Sequence, residues 1–363
     1  MKPLLKFLFL PSLIAAAFPT AGAGDWTSIP PGNANIRVEG ARFAQAVPEG
    51  IELLRFPLKL YDMGYNELRG HAARARMTSG VRLVLKTAGP AVRFRFVTKP
   101  DVMSKGLDFG ILINGKPAEP QRFPKEQETQ VVECANPAPG SPALFEIILP
   151  SWANPIFTGV EIPAGAELLP LEPSTRKIYV ALGDSISHGT GQGSASYKTF
   201  PFLVSESLNL SLFNMAIGGS QISVPIAKEL GQFDRIDLIT ILIGFNDWQS
   251  GKSPEQFGKE LDDVIGAIRA SHPAVEIACV RPITTAKTES EKGGGAITEF
   301  RDAVSKVVET RKAAGDKHIA VIAGEELTTT DDLLDGIHLT PKGAAKFAKE
   351  LSVWLAKQLP PKS

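Results

Sequence analysis

From residue 26 to about residue 171, apolar and polar positions alternate mostly with a period of two. Val81, Leu83 and Leu85 are interleaved with Arg82, Val84 and Lys86, and Val92, Phe94 and Phe96 with Arg93 and Arg95. The second run predicts a half-buried strand with a cationic outer face. A run over residues 109–113 ends in Asn114-Gly115, the preferred two-residue hairpin turn. Further strands are predicted over 130–134, 144–149 and 158–162, between turns rich in Pro and Gly. Strands at this spacing, without helices between them, predict a β-sandwich or jelly roll. The segment Leu169-Pro170-Leu171-Glu172-Pro173-Ser174 reads as a stiff linker, because two prolines hold it extended.

After Lys177 the pattern changes. Short apolar runs at 178–182, 212–216, 238–243, 277–280 and 319–322 alternate with segments of helical length. Ser253-Pro254-Glu255-Gln256 carries a capping box with Pro in the first turn, and Phe257, Leu261, Val264, Ile265 and Ile268 then fall on one face. A last helix starts at Thr340-Pro341 and turns Phe347, Leu351, Trp354 and Leu355 inward. Five strands alternating with helices predict a parallel, doubly wound sheet, since right-handed crossovers allow little else.

A chain of 363 residues accommodates two domains with separate cores. The boundaries read as 24–172 for the sandwich and 173–363 for the α/β half. Residues 1–23 have the form of a secretory signal peptide: Lys2 and Lys6, an apolar stretch over 7–18, and the small residues Ala21-Gly22-Ala23. A secreted or periplasmic protein is therefore expected. Zero formal net charge and the lack of long charged runs argue against nucleic acid or an anionic membrane surface as partner. The two cysteines, Cys134 and Cys279, sit in apolar runs far apart and read as buried free thiols. The five histidines are scattered without zinc spacing, so neither metal nor cofactor is expected.

Four segments carry the chemistry. The first strand of the α/β half breaks at Gly183-Asp184-Ser185-Ile186-Ser187, which places a hydroxyl at a strand's carboxyl end, where open α/β sheets bind ligands. Downstream come Asn214-Met215-Ala216-Ile217-Gly218-Gly219-Ser220, Gly244-Phe245-Asn246-Asp247 and Asp335-Gly336-Ile337-His338. They supply a nucleophile, neutral hydrogen-bond donors, and a base with its own carboxylate.

In order, these segments resemble the sequence blocks of the SGNH hydrolases, or GDSL-type esterases, over roughly residues 176–358. Ile186 stands where the name-giving motif has Leu. The resemblance implies a flavodoxin-like strand order 2-1-3-4-5, Ser185 as nucleophile and His338 as base with Asp335. It also implies an oxyanion hole from the Ser185 and Gly219 backbone N–H groups and the Asn246 side chain. Asp335, three residues before His338, falls on the same side of a turn and can hold the imidazole tautomer. Asp184 and Asp247 lie outside the triad and read as architectural. His188 and Trp248 are weaker candidates for contact with substrate, His188 for its nearness to Ser185 and Trp248 as an aromatic suited to stacking on a sugar.

Two other enzyme readings fail on spacing. The glycines Gly189, Gly191 and Gly193 give G-x-G-x-G where a dinucleotide fold wants G-x-G-x-x-G. Ser187 occupies the last glycine position of the α/β-hydrolase motif G-x-S-x-G. The order of leader, sandwich and SGNH half resembles bacterial carbohydrate esterases of family two type, which remove acetyl groups from polysaccharides. Thr78-Ser79-Gly80-Val81-Arg82 and Leu107-Asp108-Phe109 look similar to their sandwich domain. A small ester or an acylated polysaccharide is the expected substrate. A lipase, acylesterase or thioesterase for lipidic chains, and a non-catalytic glycan-binding protein, remain as alternatives.

Overall fold

Asn114 and Gly115 both take positive φ, 52° and 73°, and fold Leu107–Ile113 back onto Lys116–Phe123 in the computed structural model. The structure describes residues 25–99 and 103–358; the leader expected over 1–23 lies outside them. Around this hairpin the first half builds two antiparallel six-stranded sheets. One runs in the order Phe43–Val47, Gly50–Leu54, Ile156–Pro163, Ala91–Val97, Thr129–Ala135, with Trp26–Ile29 also on Ile156–Pro163. The other runs Leu168–Leu169, Arg82–Thr87, Ala143–Ile148, Leu107–Ile113, Lys116–Phe123, with Ile36–Glu39 also on Arg82–Thr87. Val92, Phe94, Phe96, Phe109, Val132 and Phe145 meet in the core between them.

Two expectations need correcting here. The outer face of Ala91–Val97 is not a cationic stripe: Arg93 pairs with Glu133 and Arg95 with Glu161, both at 2.8 Å, on the flanking strands. The expected linker begins inside the sandwich, since Leu168–Leu169 is hydrogen-bonded to Arg82–Thr87. The strands over residues 26–54 and Lys116–Phe123 were not readable from the pattern. Lys116–Phe123 contains Pro117 and Pro120, which a strand tolerates at a sheet edge, and that is where it lies.

The second half is a five-stranded parallel sheet in the order Leu210–Asn214, Lys177–Gly183, Leu238–Leu242, Glu276–Val280, Ile319–Ile322, the 2-1-3-4-5 arrangement. The second strand ends two residues earlier than its apolar run, because the Asn214 carboxamide accepts the Ala216 N–H and turns the chain. Ser253 Oγ accepts the Gln256 N–H at 3.2 Å and caps the helix Pro254–Ser271, whose residues Phe257, Leu261, Val264, Ile265 and Ile268 are buried. On the other face, Phe347, Leu351 and Leu355 of Pro341–Gln358 are buried and Trp354 is half-buried.

The halves share more than a linker. Residues 54–75 leave the sandwich as a 3-10 turn Leu58–Asp62 and two short helices, Tyr65–Leu68 and Ala72–Ala75. Their Phe56, Leu60, Leu68 and Ala75 pack into the same core as Val180, Met215 and Ile217 of the parallel-sheet half. Buried Arg82 reaches Glu146 of the sandwich at 2.8 Å and Glu206 of the helix Phe200–Leu208 at 2.6 Å. Cys134 and Cys279 are buried free thiols, each pushed up to about 12 by burial.

Candidate active site

Strand Lys177–Gly183 delivers the chain to Asp184, whose carboxylate accepts the Ile186 N–H at 3.0 Å and caps the four-residue helix Ser185–His188. Ser185 is the first residue of that turn, half-buried, with its hydroxyl 2.8 Å from His338 Nε2. On the far side of the ring, His338 Nδ1 is 2.7 Å from Asp335 Oδ2. A carboxylate only accepts, so Nδ1 carries the proton and Nε2 is left to accept from Ser185. Asp335 Oδ1 meanwhile accepts the N–H groups of Ile337 and His338, at 3.1 and 2.8 Å, which fixes the turn. Burial opposes ionisation of Asp335, but the His338 N–H, the ring and the Ile337 N–H together hold its carboxyl below the usual range.

The segment after the second strand is braced from the sandwich side. Gly218 accepts from Arg74 Nη1 at 3.0 Å and Gly219 from the Tyr65 hydroxyl at 3.1 Å, both through their carbonyls. Arg55 Nη1 donates to the carbonyls of Asn214 and Ala216, at 2.5 and 2.7 Å. Neither glycine tolerates a side chain. A Cβ on Gly218 would lie 2.3 Å from the Trp152 ring, and one on Gly219, where φ is +76°, would lie 2.5 Å from Arg74 Nη1. Asn246 opens the helix Phe245–Gln249 together with Phe245, and its Nδ2 spends one N–H on the Ser220 carbonyl at 2.9 Å. The second N–H is free to point elsewhere.

Ser185, His338, Gly219 and Asn246 line one open cleft of about 480 Å³. Arg74, Lys105, Trp152, Thr190, Phe245 and Ile337 are among the other residues of its walls. Arg74, Lys105 and Trp152 come from the first half, and no sequence motif marked them.

Two expected contacts with substrate are not made. His188 is fully buried: the turn from Ser185 points it inward, where Nδ1 accepts the Gly218 N–H at 3.0 Å and Nε2 donates to the Ser151 carbonyl at 2.7 Å. It stacks on Trp152 with ring centres 4.3 Å apart. Burial, and next the Arg55 charge, keep it neutral well below the usual histidine range. Trp248 is likewise fully buried, against Phe245, and donates to the Gly295 carbonyl at 2.8 Å. The aromatics at the cleft are Trp152 and Phe245 instead.

Asp184 and Asp247 face the scaffold. Asp247 accepts the Ile222 N–H at 3.1 Å and pairs with buried Lys252 at 2.5 Å. Asn214 donates to Ser79 Oγ at 2.9 Å and to the Ser187 carbonyl at 2.8 Å, while Ser79 donates to the His188 carbonyl. The helix Ser185–His188 is thus hydrogen-bonded directly to the sandwich. Among the described residues there is no His, Cys, Asp and Glu cluster able to hold a metal, and no helix long and apolar enough to cross a membrane.

The model of the GDSL-like Lipase/Acylhydrolase family matches residues 181–346, which hold all the blocks above. Over these residues the chain is similar to a GDSL-like acylhydrolase domain. No curated protein matches the sequence of this chain. Solved structures match the whole architecture. A salicylyl-acyltransferase from a tetracycline biosynthetic pathway is similar at TM-score 0.78 and 21% identity, covering 92% of this chain and 97% of that one. An active-site mutant of a family two carbohydrate esterase from Clostridium thermocellum is similar at TM-score 0.66 and 17% identity, covering 90% and 98%. An acetyl xylan esterase from the rumen bacterium Butyrivibrio proteoclasticus is similar at TM-score 0.66 and 14% identity, covering 92% and 98%. At these identities the likeness is one of fold: a β-sandwich followed by the acylhydrolase sheet, through nearly the full length of each chain.

Proposed function

We propose that this protein is a serine ester hydrolase that removes O-acyl groups, acetyl above all, from a glycan outside the cytoplasm. The observation that carries the reading is the continuous hydrogen-bonded row from Ser185 through His338 to Asp335, opening into a cleft that also holds Gly219 and Asn246. A serine hydroxyl is a poor nucleophile unless a base takes its proton as it attacks. His338 Nε2 is that base, and Asp335 holds the tautomer and stabilises the imidazolium that forms.

As Ser185 Oγ bonds to the ester carbon, the carbonyl oxygen becomes an oxyanion. The N–H groups of Ser185 and Gly219 and the second N–H of Asn246 are the donors for it. The first N–H of a helix has no partner within its own helix, which leaves Ser185 N–H available. The imidazolium then protonates the leaving alcohol and the acyl group stays on Ser185. Water, deprotonated by His338, attacks this acyl-enzyme and releases the acid. An alcohol in place of water would make the same acyl-enzyme a transferase, the activity named for one of the structures with this fold.

The sandwich wall and the open, two-sided cleft favour a short acyl group on a bulky alcohol over a lipid chain. The test is a series of 4-nitrophenyl esters from acetyl to octanoyl, with acetylated xylan beside it. We expect kcat/KM to be highest for acetyl and to fall with length. A lipid-acyl enzyme would gain about 0.8 kcal/mol per added buried CH₂ and show the opposite slope. Octanoyl preferred over acetyl refutes the glycan reading, and no turnover of any ester in water or with added alcohol refutes the esterase reading.

A further inference from the structure

Among the described residues, the cleft wall contributed by the sandwich half carries two cations and no carboxylate. Arg74, in the helix Ala72–Ala75, and Lys105 both line the cleft, and no carboxylate is among its lining residues. Arg74 uses Nη1 on the Gly218 carbonyl, while its Nε is buried without an acceptor among the described residues. Lys105 Nζ sits 3.9 Å above the Trp152 ring and forms no ion pair among the described residues. Neighbouring arginines of the same half behave differently: Arg76 meets Glu52, Arg93 meets Glu133, and Arg95 meets Glu161, each at 2.8 Å. Asp335, the one acid among the described residues whose charge is felt at Lys105, is already engaged by His338.

Two further polar atoms on this lining lack partners. Trp152 Nε1 and Thr190 Oγ1 are buried with no hydrogen bond among the described residues. Arg74 Nε and Trp152 Nε1 can only donate, and Thr190 can donate. Donors beside two cations make this side of the cleft favourable to an acceptor and unfavourable to a further cation. Burial lowers the pKa of both Arg74 and Lys105, and the Arg74 charge adds to the effect on Lys105. An anion bound between them would reverse that cost.

We propose that Arg74 and Lys105 form an anion subsite, and that the ester hydrolysed at Ser185 carries a carboxylate close to the scissile bond. The planar guanidinium edge suits two carboxylate oxygens, and the ammonium adds charge without fixed direction. This substrate class rests on the ester-hydrolase reading above. The carboxylate can sit on the alcohol, as in an acylated sugar acid, or on the acyl group, as in a half-ester of a dicarboxylic acid.

Two matched pairs separate these sources. One is methyl 2-O-acetyl-glucuronoside against its methyl ester; the other is 4-nitrophenyl hemisuccinate against its methyl ester. In one pair the free carboxylate should raise kcat/KM by about tenfold or more at low ionic strength, and salt should shrink the preference. Lys105→Gln and Arg74→Gln should each bring the ratio toward one, while Arg74→Lys keeps part of it. A ratio at or below one in both pairs overturns the proposal. So does an equal loss on charged and neutral members in both Gln variants, because that would assign the cations to the oxyanion loop alone. A readout independent of turnover is calorimetric titration of Ser185→Ala with glucuronate and with succinate, glucose being the neutral control. Binding of either anion, lost in the Lys105→Gln background, supports the subsite even if esters fail. Binding of neither overturns it and leaves the esterase reading to the 4-nitrophenyl series.

Discussion

Gly219→Ala isolates what the glycine in the second block does. Its φ of +76° lies in the left-handed region, where a Cβ costs about 1–2 kcal/mol. The added Cβ would also meet Arg74 Nη1 at 2.5 Å, an atom held by the Gly218 carbonyl. Either Arg74 moves and releases Gly218, or the loop moves and carries the Gly219 N–H away from the oxyanion. Removing one such donor costs roughly 10²–10³ in kcat, and misplacement by about 1 Å has a similar scale, so a loss near 10²-fold is expected. KM should change little, because the interaction is made in the transition state. The control is Gly115→Ala, at φ +73° with no atom within 4 Å of the new Cβ and far from the cleft. It should lose a similar amount of stability with kcat unchanged. The assay is steady-state kinetics on 4-nitrophenyl acetate beside thermal melts of both variants. If Gly219→Ala keeps kcat within about threefold of the parent, Gly219 is a turn residue and its role in oxyanion binding is refuted.

Three other outcomes follow from the geometry. Ser185→Ala and His338→Ala should each abolish nearly all turnover and the double variant should be scarcely worse, since the two act as one unit; losses that multiply in the kinetics would refute a shared step. Asp184 is fully buried and raised to about 7, by burial first and next by the Asp247 charge, opposed by the Ile186 N–H. Its folded pKa exceeds the unfolded one near 3.9, so the native state holds more protons and stability falls as pH rises from about 4 to 7. Asp184→Asn keeps the acceptor for Ile186 and should flatten that slope and raise the melting temperature above pH 7; an unchanged pH profile of Tm counts against it. His188→Phe keeps a ring on Trp152 but strands the Gly218 N–H and the Ser151 carbonyl, which should cost about 1–3 kcal/mol for each group in urea unfolding.

The parts legible in the sequence were those whose partners lie close by in the chain. Ser253 caps the helix it precedes and Asn114-Gly115 closes its own hairpin, so local spacing sufficed there, while Asp335 and His338 share one turn but were singled out by the resemblance of the four blocks. The strand before Ser185 was legible for the same reason, as an apolar run that stops at a glycine. Residues 54–75 were not, because Leu60, Leu68 and Ala75 follow no single period and their burial is against a sheet laid down more than a hundred residues later. Arg74, Lys105 and Trp152 reach the cleft only through that packing. His188 misled because nearness to a nucleophile in sequence suggests exposure, whereas a single helical turn faces it inward, onto Gly218. The exposed-looking Arg93 and Arg95 were readable as strand positions, but their glutamate partners lie on strands that sequence order does not make neighbours.

Because the excursion 54–75 and the parallel sheet contribute to one apolar core, and Arg82 ties the two halves through buried charge, separating the halves would expose that shared core and strand buried charge, although the sandwich keeps a second core of its own. Calorimetry should therefore record one melting endotherm where a beads-on-a-string enzyme would give two. Occupancy of the cleft then has a reach beyond the cleft. A ligand bound in the cleft between the Arg74 and Lys105 wall and Ser185 raises the opening free energy of amides throughout the sandwich, by RT ln(1 + [L]/Kd). Hydrogen exchange in strands that never touch the ligand becomes a gauge of how tightly it is held.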